Sequence, residues 1–323
     1  MEASLAKIIK GASDLVTSDS ETKAGFIKAA LEKNRKAQPY IDQAKQLKVY
    51  ASRAKKPMDL MKISEIREML LTASGLSDKA FKYFSEDNKD EAIKQLINEF
   101  LIPNGSSFVD ELVYRYLLIK GDSLGGSMRN YVGSVAKMQL IRTILSILDI
   151  KKIDFQVLYK QNKSKNLWSS ATYDEVYDIV DTIKAISWNS SKGNRVLFFD
   201  TNIPLNEDKN VDINLYNAST SDYAAGEIVK RNDLAIMFGE LKGGIDPAGA
   251  DEHWKTANTA LGRIRNNFSA NKFKVKTSFI GAAIVKGMST EIWDQLKNGT
   301  LDYAANLTVE EQLTNYCDWL INL

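Results

Sequence analysis

Two short segments of this 323-residue chain carry acidic and basic side chains where a strand would present them together. Asp212 sits in Val211-Asp212-Ile213-Asn214-Leu215, and Glu240-Leu241-Lys242 closes the apolar run Leu234–Gly239. Side chains alternate across a strand, so Glu240 and Lys242 share one face and Leu241 takes the other. Two carboxylates and an ammonium meeting at strand ends suit metal-dependent phosphodiester chemistry. Carboxylate oxygens are hard ligands for Mg²⁺. The cation polarises phosphorus and lowers the pKa of bound water, and a lysine can orient that water or offset developing charge.

The acidic-x-Lys pattern alone says little, because the chain holds five: Glu21–Lys23, Asp87–Lys89, Asp149–Lys151, Glu207–Lys209 and Glu240–Lys242. The first and third lie at the edges of helical patterns, the second in a polar turn, and the fourth in the polar stretch Asn206–Asn210. Only the fifth ends a buried-type strand, and only it has a strand-borne aspartate 28 positions upstream. The plain alternative is a salt-bridged sheet edge facing solvent. The residues after Lys242 favour a site. Gly243-Gly244 frees the backbone to turn and approach a ligand closely. Asp246-Pro247 reads as a turn that opens a helix. Ala250, Trp254, Ala257, Leu261, Ile264 and Phe268 then recur as one apolar helical face. His253 lies at its flank, near the helix start and the strand end.

Val211-Asp212 followed by Glu240-Leu241-Lys242 resembles the PD-(D/E)xK nuclease motif, with Val211 where a proline is usual. Together with Lys242–Trp254, and with Gly121-Asp122-Ser123-Leu124-Gly125-Gly126-Ser127-Met128-Arg129-Asn130, the chain resembles the AvaI/BsoBI family of type II restriction endonucleases. The resemblance implies a homodimeric, Mg²⁺-dependent endonuclease of double-stranded DNA. It also implies the degenerate target CYCGRG, cut after the first C to leave 5′ overhangs of four bases. Asp212, Glu240 and the Leu241 backbone carbonyl would hold Mg²⁺, and Lys242 would hold the attacking water or the phosphate.

Four further positions carry two readings each. His253 is a candidate proton acceptor, or a helix-surface residue that touches DNA. Asp246 is a helix cap, or an acceptor for a cytosine amino group. Lys209, expected in the loop before the first catalytic strand, could donate to guanine or phosphate. The glycines of Gly121–Asn130, expected as a loop before a helix, could cradle phosphate, with Arg129 and Asn130 reaching DNA; the alternative is a flexible connection.

Composition narrows the field. Hydrophobic residues make up 44%, which is globular, and no run approaches a membrane span. The first residues lack a basic start and apolar core, so no signal peptide is expected there. A single cysteine, Cys317, fits a reducing cytoplasm and is expected to pack in the last helix. One histidine argues against zinc-finger and His-metal sites. A net charge of +2 means that DNA binding must rest on local basic surfaces. Arg263–Lys276 and Lys151–Lys165 are the two candidates.

Residues 1–150 read as nearly continuous helix punctuated by Pro39, Pro57 and Pro103. Leu5, Ile8, Ile9, Ala12 and Leu15 share one face, and Met128–Leu148 forms a long helix. Strands are expected at Ile153–Tyr159, Arg195–Phe199, Asp212–Tyr216, Leu234–Lys242 and Thr277–Val285. Helices are expected at Tyr173–Trp188, Asp222–Lys230, Glu291–Lys297 and Val309–Ile321. This order suits an α/β (α+β) layer fold: a PD-(D/E)xK core with a mixed sheet flanked by helices, plus a large N-terminal helical region. Residues 1–106 form that region, expected to embrace DNA and dimerise, and 107–323 the catalytic core. The competing functions are a repair or junction-resolving nuclease on the same fold, and a DNA-binding protein with an inert site.

Overall fold

The computed structural model describes residues 5–77, 79–205 and 208–323, without the side chains of residues 6, 7, 163–165 and 208. Asn206 and Glu207 of the polar stretch, and the Lys163 and Lys165 side chains of one basic segment, therefore lie outside the described residues. The chain forms α1 (Leu5–Ile8), α2 (Asp19–Ala51), α3 (Arg67–Ala73), α4 (Glu86–Leu96) and α5 (Phe108–Ile150). Next come β1 (Phe155–Tyr159), β2 (Trp168–Ala171), α6 (Tyr173–Val176), β3 (Ile183–Ser190), β4 (Gly193–Pro204), β5 (Asp208–Tyr216), α7 (Ala225–Ile228) and β6 (Ala235–Lys242). The last elements are α8 (Ala250–Ala270), β7 (Lys276–Gly281), α9 (Lys286–Asn298), β8 (Tyr303–Asn306) and α10 (Glu310–Ile321).

Two compact units share these elements. One comprises the described residues up to Phe26 with Tyr131–Leu323, and the other Ile27–Asn130. The smaller unit is helical, with a core of Leu47, Leu60, Leu70, Ile93, Ile97, Leu101, Leu112 and Tyr116. The larger is built on an eight-stranded mixed sheet in the order β2-β1-β3-β4-β5-β6-β7-β8. Neighbours are antiparallel from β2 to β6 and parallel from β6 to β8. This is the α/β core with a large N-terminal helical region that the sequence suggests.

Helix α8 shows why the site end of the sheet is firm. Its expected face, Ala250, Trp254, Ala257, Leu261, Ile264 and Phe268, is buried throughout. Trp254 meets Phe279 of β7 edge-on at 4.9 Å between ring centroids, and Phe268 meets Phe238 of β6 at 5.1 Å. Burying each such side chain is worth roughly 1.5–3 kcal/mol. Trp254 Nε1 also donates to Glu291 of α9 at 2.8 Å, so its polar atom is satisfied. Cys317 packs within α10, fully buried, and burial pushes its thiol well above the ordinary range.

Several local expectations are corrected. Tyr173–Trp188 is not one helix: α6 ends at Val176 and Ile183–Ser190 is strand β3, whose first six residues are all buried. Burial on both sheet faces removes the alternation that would have marked a strand. Gly121–Asn130 is not a loop but lies inside α5, 43 residues long. Each helical glycine costs about 1 kcal/mol relative to alanine, and the buried Leu124 and Met128 help to offset it. Pro39 lies within α2 rather than ending it. The Leu5–Leu15 face is broken at Gly11, whose extended backbone (φ −162°) separates α1 from a short 3-10 turn. The Thr277–Val285 strand stops at Gly281. Among the described residues, no helix is long and apolar enough to cross a membrane.

The backbone leaving β6 is clamped. A Cβ on Gly243 would overlap that of Ala136 on α5 and come within 2.9 Å of the Val132 carbonyl oxygen. Two residues on, Ile245 sits where a Cβ on Gly25 of α2 would be. Gly243→Ala should therefore destabilise the protein by roughly 1–3 kcal/mol through overpacking. Ala136→Gly in the same chain should restore part of the loss. Thermal unfolding checks this, and an unchanged midpoint in Gly243→Ala would refute the clamp.

Candidate active site

The antiparallel ladder between β5 and β6 runs from Tyr216↔Ala235 to Ile213↔Gly239. One step further stand Asp212 and Glu240, where a side chain takes over from the ladder. Leu241 N–H donates to Asp212 Oδ2 at 2.8 Å. On the other side of β6, the Lys242 carbonyl accepts from Ala282 N–H at 2.8 Å. Amides alternate sides along a strand, so the Leu241 carbonyl faces the Asp212 side, as its N–H does.

Lys242 ties the two carboxylates together. Its Nζ donates to Glu240 Oε2 at 2.6 Å and lies 3.4 Å from Asp212 Oδ2. The Glu240 side chain is 6% exposed, that of Lys242 26% and that of Asp212 25%. Burial, followed by the nearby Asp212 charge, raises the Glu240 carboxyl to about 7, with Lys242 opposing. Burial works against the Lys242 ammonium, but Asp212 and Glu240 together outweigh it and hold its pKa above the ordinary value.

This donor set fits a hard divalent cation. Two carboxylates crowd one point, and Glu240 takes up a proton unusually readily because it is buried and stands beside the Asp212 charge, which Lys242 only partly offsets. Asp212, Glu240 and the Leu241 carbonyl supply three oxygens, fewer than the six that Mg²⁺ prefers, leaving room for water and a substrate phosphate. Among the described residues, no group of three His, Cys, Asp or Glu side chains gathers as a metal cage, so this pair of carboxylates would depend on backbone, water and substrate oxygens.

The remaining candidates stand as follows. His253, in the first turn of α8, is exposed, and its ring packs beside the Gly244 and Gly249 backbone. It therefore neighbours the segment leaving Lys242. Asp246 is exposed and caps the turn Pro247–Gly249, its Oδ1 accepting from Ala248 N–H at 3.0 Å. Lys209 lies in β5 itself rather than in a preceding loop, paired with Ile203 of β4. Alternation puts it on the sheet face opposite Asp212. Arg129 and Asn130 are exposed inside α5, not at its N-terminus, and belong to the smaller unit. Of the basic segments, Arg265 donates to Thr277 at 3.0 Å and Lys276 to Asp302 at 3.4 Å, while Lys151 pairs with Asp318.

Sequence patterns passed over the groups behind Asp212. Asn214, fully buried, donates to the Val211 and Phe198 carbonyls at 2.8 and 3.4 Å. Across the sheet, Asp200 of β4 has φ +44° and pairs with Lys137 of α5. No spacing in the sequence connects these residues; only the fold does.

Residues 6–323 match the family described as "Restriction endonuclease BsobI". The chain is 49% identical to "Type II restriction enzyme BsoBI" of Geobacillus stearothermophilus, over 98% of this chain and 97% of that protein. It is 45% identical to "Type II restriction enzyme AvaI" of Nostoc sp. and of Anabaena variabilis, over 98% of each chain.

The raised Glu240 carboxyl has a signature in the metal-free protein. Its pKa is about 7 when folded, against an ordinary value of 4.5. Between these values the folded state holds the proton and the unfolded state does not, so stability falls as pH rises through that window. The cost is fully present above about pH 7. Glu240→Gln should therefore unfold at higher temperature than the parent at pH 8, by on the order of 1–3 kcal/mol of stability. The gain should shrink towards zero by about pH 4.5. A variant no more stable than the parent at pH 8 would contradict the raised Glu240 carboxyl.

Proposed function

The chain belongs to the BsoBI family of restriction endonucleases, and from that premise we propose that it is a Mg²⁺-dependent type II enzyme that hydrolyses both strands of a palindromic, G/C-rich DNA site. The observation that carries this reading is the meeting of Asp212, Glu240 and Lys242 where β5 and β6 part. We take the target to be CYCGRG, cut after the first C to leave four-base 5′ overhangs. The acting form is a homodimer, since two-fold protein symmetry matches a palindrome. Residues 1–106 embrace DNA and extend the dimer, 107–323 carry the chemistry, and the enzyme works in the cytoplasm.

In this reading Asp212, Glu240 and the Leu241 carbonyl hold Mg²⁺. When bound, the cation supplies Lewis acidity and a water of lowered pKa. Lys242, already directed at both carboxylates, orients the attacking water or a phosphate oxygen and offsets negative charge as the bond to the 3′ oxygen breaks. His253 takes the proton of the attacking water. Asp246 has its Oδ2 available beside the capping Oδ1 and accepts from a cytosine amino group. Lys209, Arg129 and Asn130 contact bases or phosphates.

Plasmid DNA with Mg²⁺ tests the whole reading. Discrete fragments are expected; a smear or junction-only cutting would indicate a repair-type nuclease, and intact DNA a binding protein. Asp212→Ala, Glu240→Ala and Lys242→Ala should each abolish cleavage in a folded protein. Near-parental cleavage by any of them removes that residue from the site.

His253→Ala separates proton acceptor from DNA contact. If His253 takes the proton, the single-turnover rate at saturating DNA falls on the order of 10²–10⁴-fold, while DNA binding in Ca²⁺ is unchanged. Weakened binding with a recovered saturating rate would make it a contact only.

A further inference from the structure

Strand β4 pairs with β5 in constant register on both sides of one gap. Phe199 faces Ile213 and Thr201 faces Val211, but Asp200 and Asp212, opposite by count, do not pair. The break is local, since the register does not shift across it. Its cause is the Asp200 backbone, at φ +44°. That left-handed conformation is uncommon for a residue with a side chain, and strained in the middle of a strand.

Side chains take the place of the missing ladder. The ammonium of Lys184, a buried residue of β3, donates to the carbonyls of Phe199 and Asp200. Asn214 holds the carbonyls of Val211 and Phe198 from the other strand. The Asp200 carboxylate, turned out of the strand's regular alternation, pairs with Lys137 of α5, whose own side chain is 12% exposed. Lys137 directly follows Ala136, the residue against which Gly243 is packed. One turn of α5 thus meets the backbone just beyond Lys242 and the kink opposite Asp212.

We infer that Lys137 and Asp200 are positioning residues that hold the β5-borne Asp212 at its working distance from β6, with α5 as the common support. Asp212 lies where β5 lacks regular pairing on both sides, and it reaches β6 through its own carboxylate alone, at Leu241 N–H and the Lys242 ammonium. Its placement is therefore set by whatever fixes the kink. A lost Lys137–Asp200 pair lets the kink relax towards extended strand and draws Asp212 away from Glu240. The inference rests on Asp212 and Glu240 being the cation ligands.

The test uses the full chain and Mn²⁺ alone, followed by electron paramagnetic resonance, so no cleavage is needed to read it. Lys137→Met should weaken Mn²⁺ binding roughly 10-fold to 100-fold, the usual effect of removing a group that orients a ligand. Asp200→Asn keeps a residue that tolerates left-handed backbone and should weaken binding similarly. The exchanged pair Lys137→Asp with Asp200→Lys should recover most of the affinity; Lys152 and Lys272 already adopt positive φ here, so lysine can occupy that backbone. Unchanged or tighter Mn²⁺ binding in both single variants, even with a lowered melting temperature, would overturn the inference. If Lys137→Met does not fold, Asp200→Asn and the exchanged pair decide the matter. Failure of the nuclease reading appears separately, as a parent protein that binds Mn²⁺ and leaves DNA intact.

Discussion

A single hydrogen bond, from Leu241 N–H to the Asp212 carboxylate, decides how β5 and β6 part. Up to Ile213 and Gly239 the strands are held by backbone pairing. Beyond that point a charged side chain takes the backbone donor, so the strands separate without leaving that N–H unsatisfied. An ion accepting from a backbone amide makes a stronger bond than a neutral carbonyl would. The same exchange of backbone for side chain creates an acidic corner between two interior strands, with Lys242 lying across it.

That corner is costly to hold without a cation, and the surrounding packing explains how it persists. The side chains of α8 seat on β6 and β7 through Trp254 and Phe268. The segment after Lys242 cannot drift, because Gly243 lies against α5 and Ile245 against Gly25. Strand ends that would otherwise fray are thus stiff enough to keep two carboxylates together. Strain tolerated at a functional site and held by its surroundings is a general pattern.

The cluster of Asp212, Glu240 and Lys242 and the helix beside it were legible in the sequence because both rest on local rules. Alternation put Glu240 and Lys242 on one face, and the three-to-four spacing from Ala250 to Phe268 marked the buried face of α8. Elements failed to read where burial or composition masked the period. Strand β3 is buried towards both faces and so reads as helical, and the glycines of α5 read as a break. Strands β2 and β8, four residues each, are too short to carry a period at all. Lys137, Lys184 and Asp200 could not be found from spacing, since α5, β3 and β4 meet only in the fold.

Cys317 gives the molecule a built-in reporter. The thiolate is the reactive form of cysteine, and this thiol is fully enclosed with its ionisation suppressed. In the closed state it is silent towards thiol-directed reagents. Labelling of the parent chain thus counts openings of α10 from the sheet, one molecule at a time, without an engineered probe. A cysteine introduced on any exposed surface would meanwhile be modified selectively, leaving the native one in place.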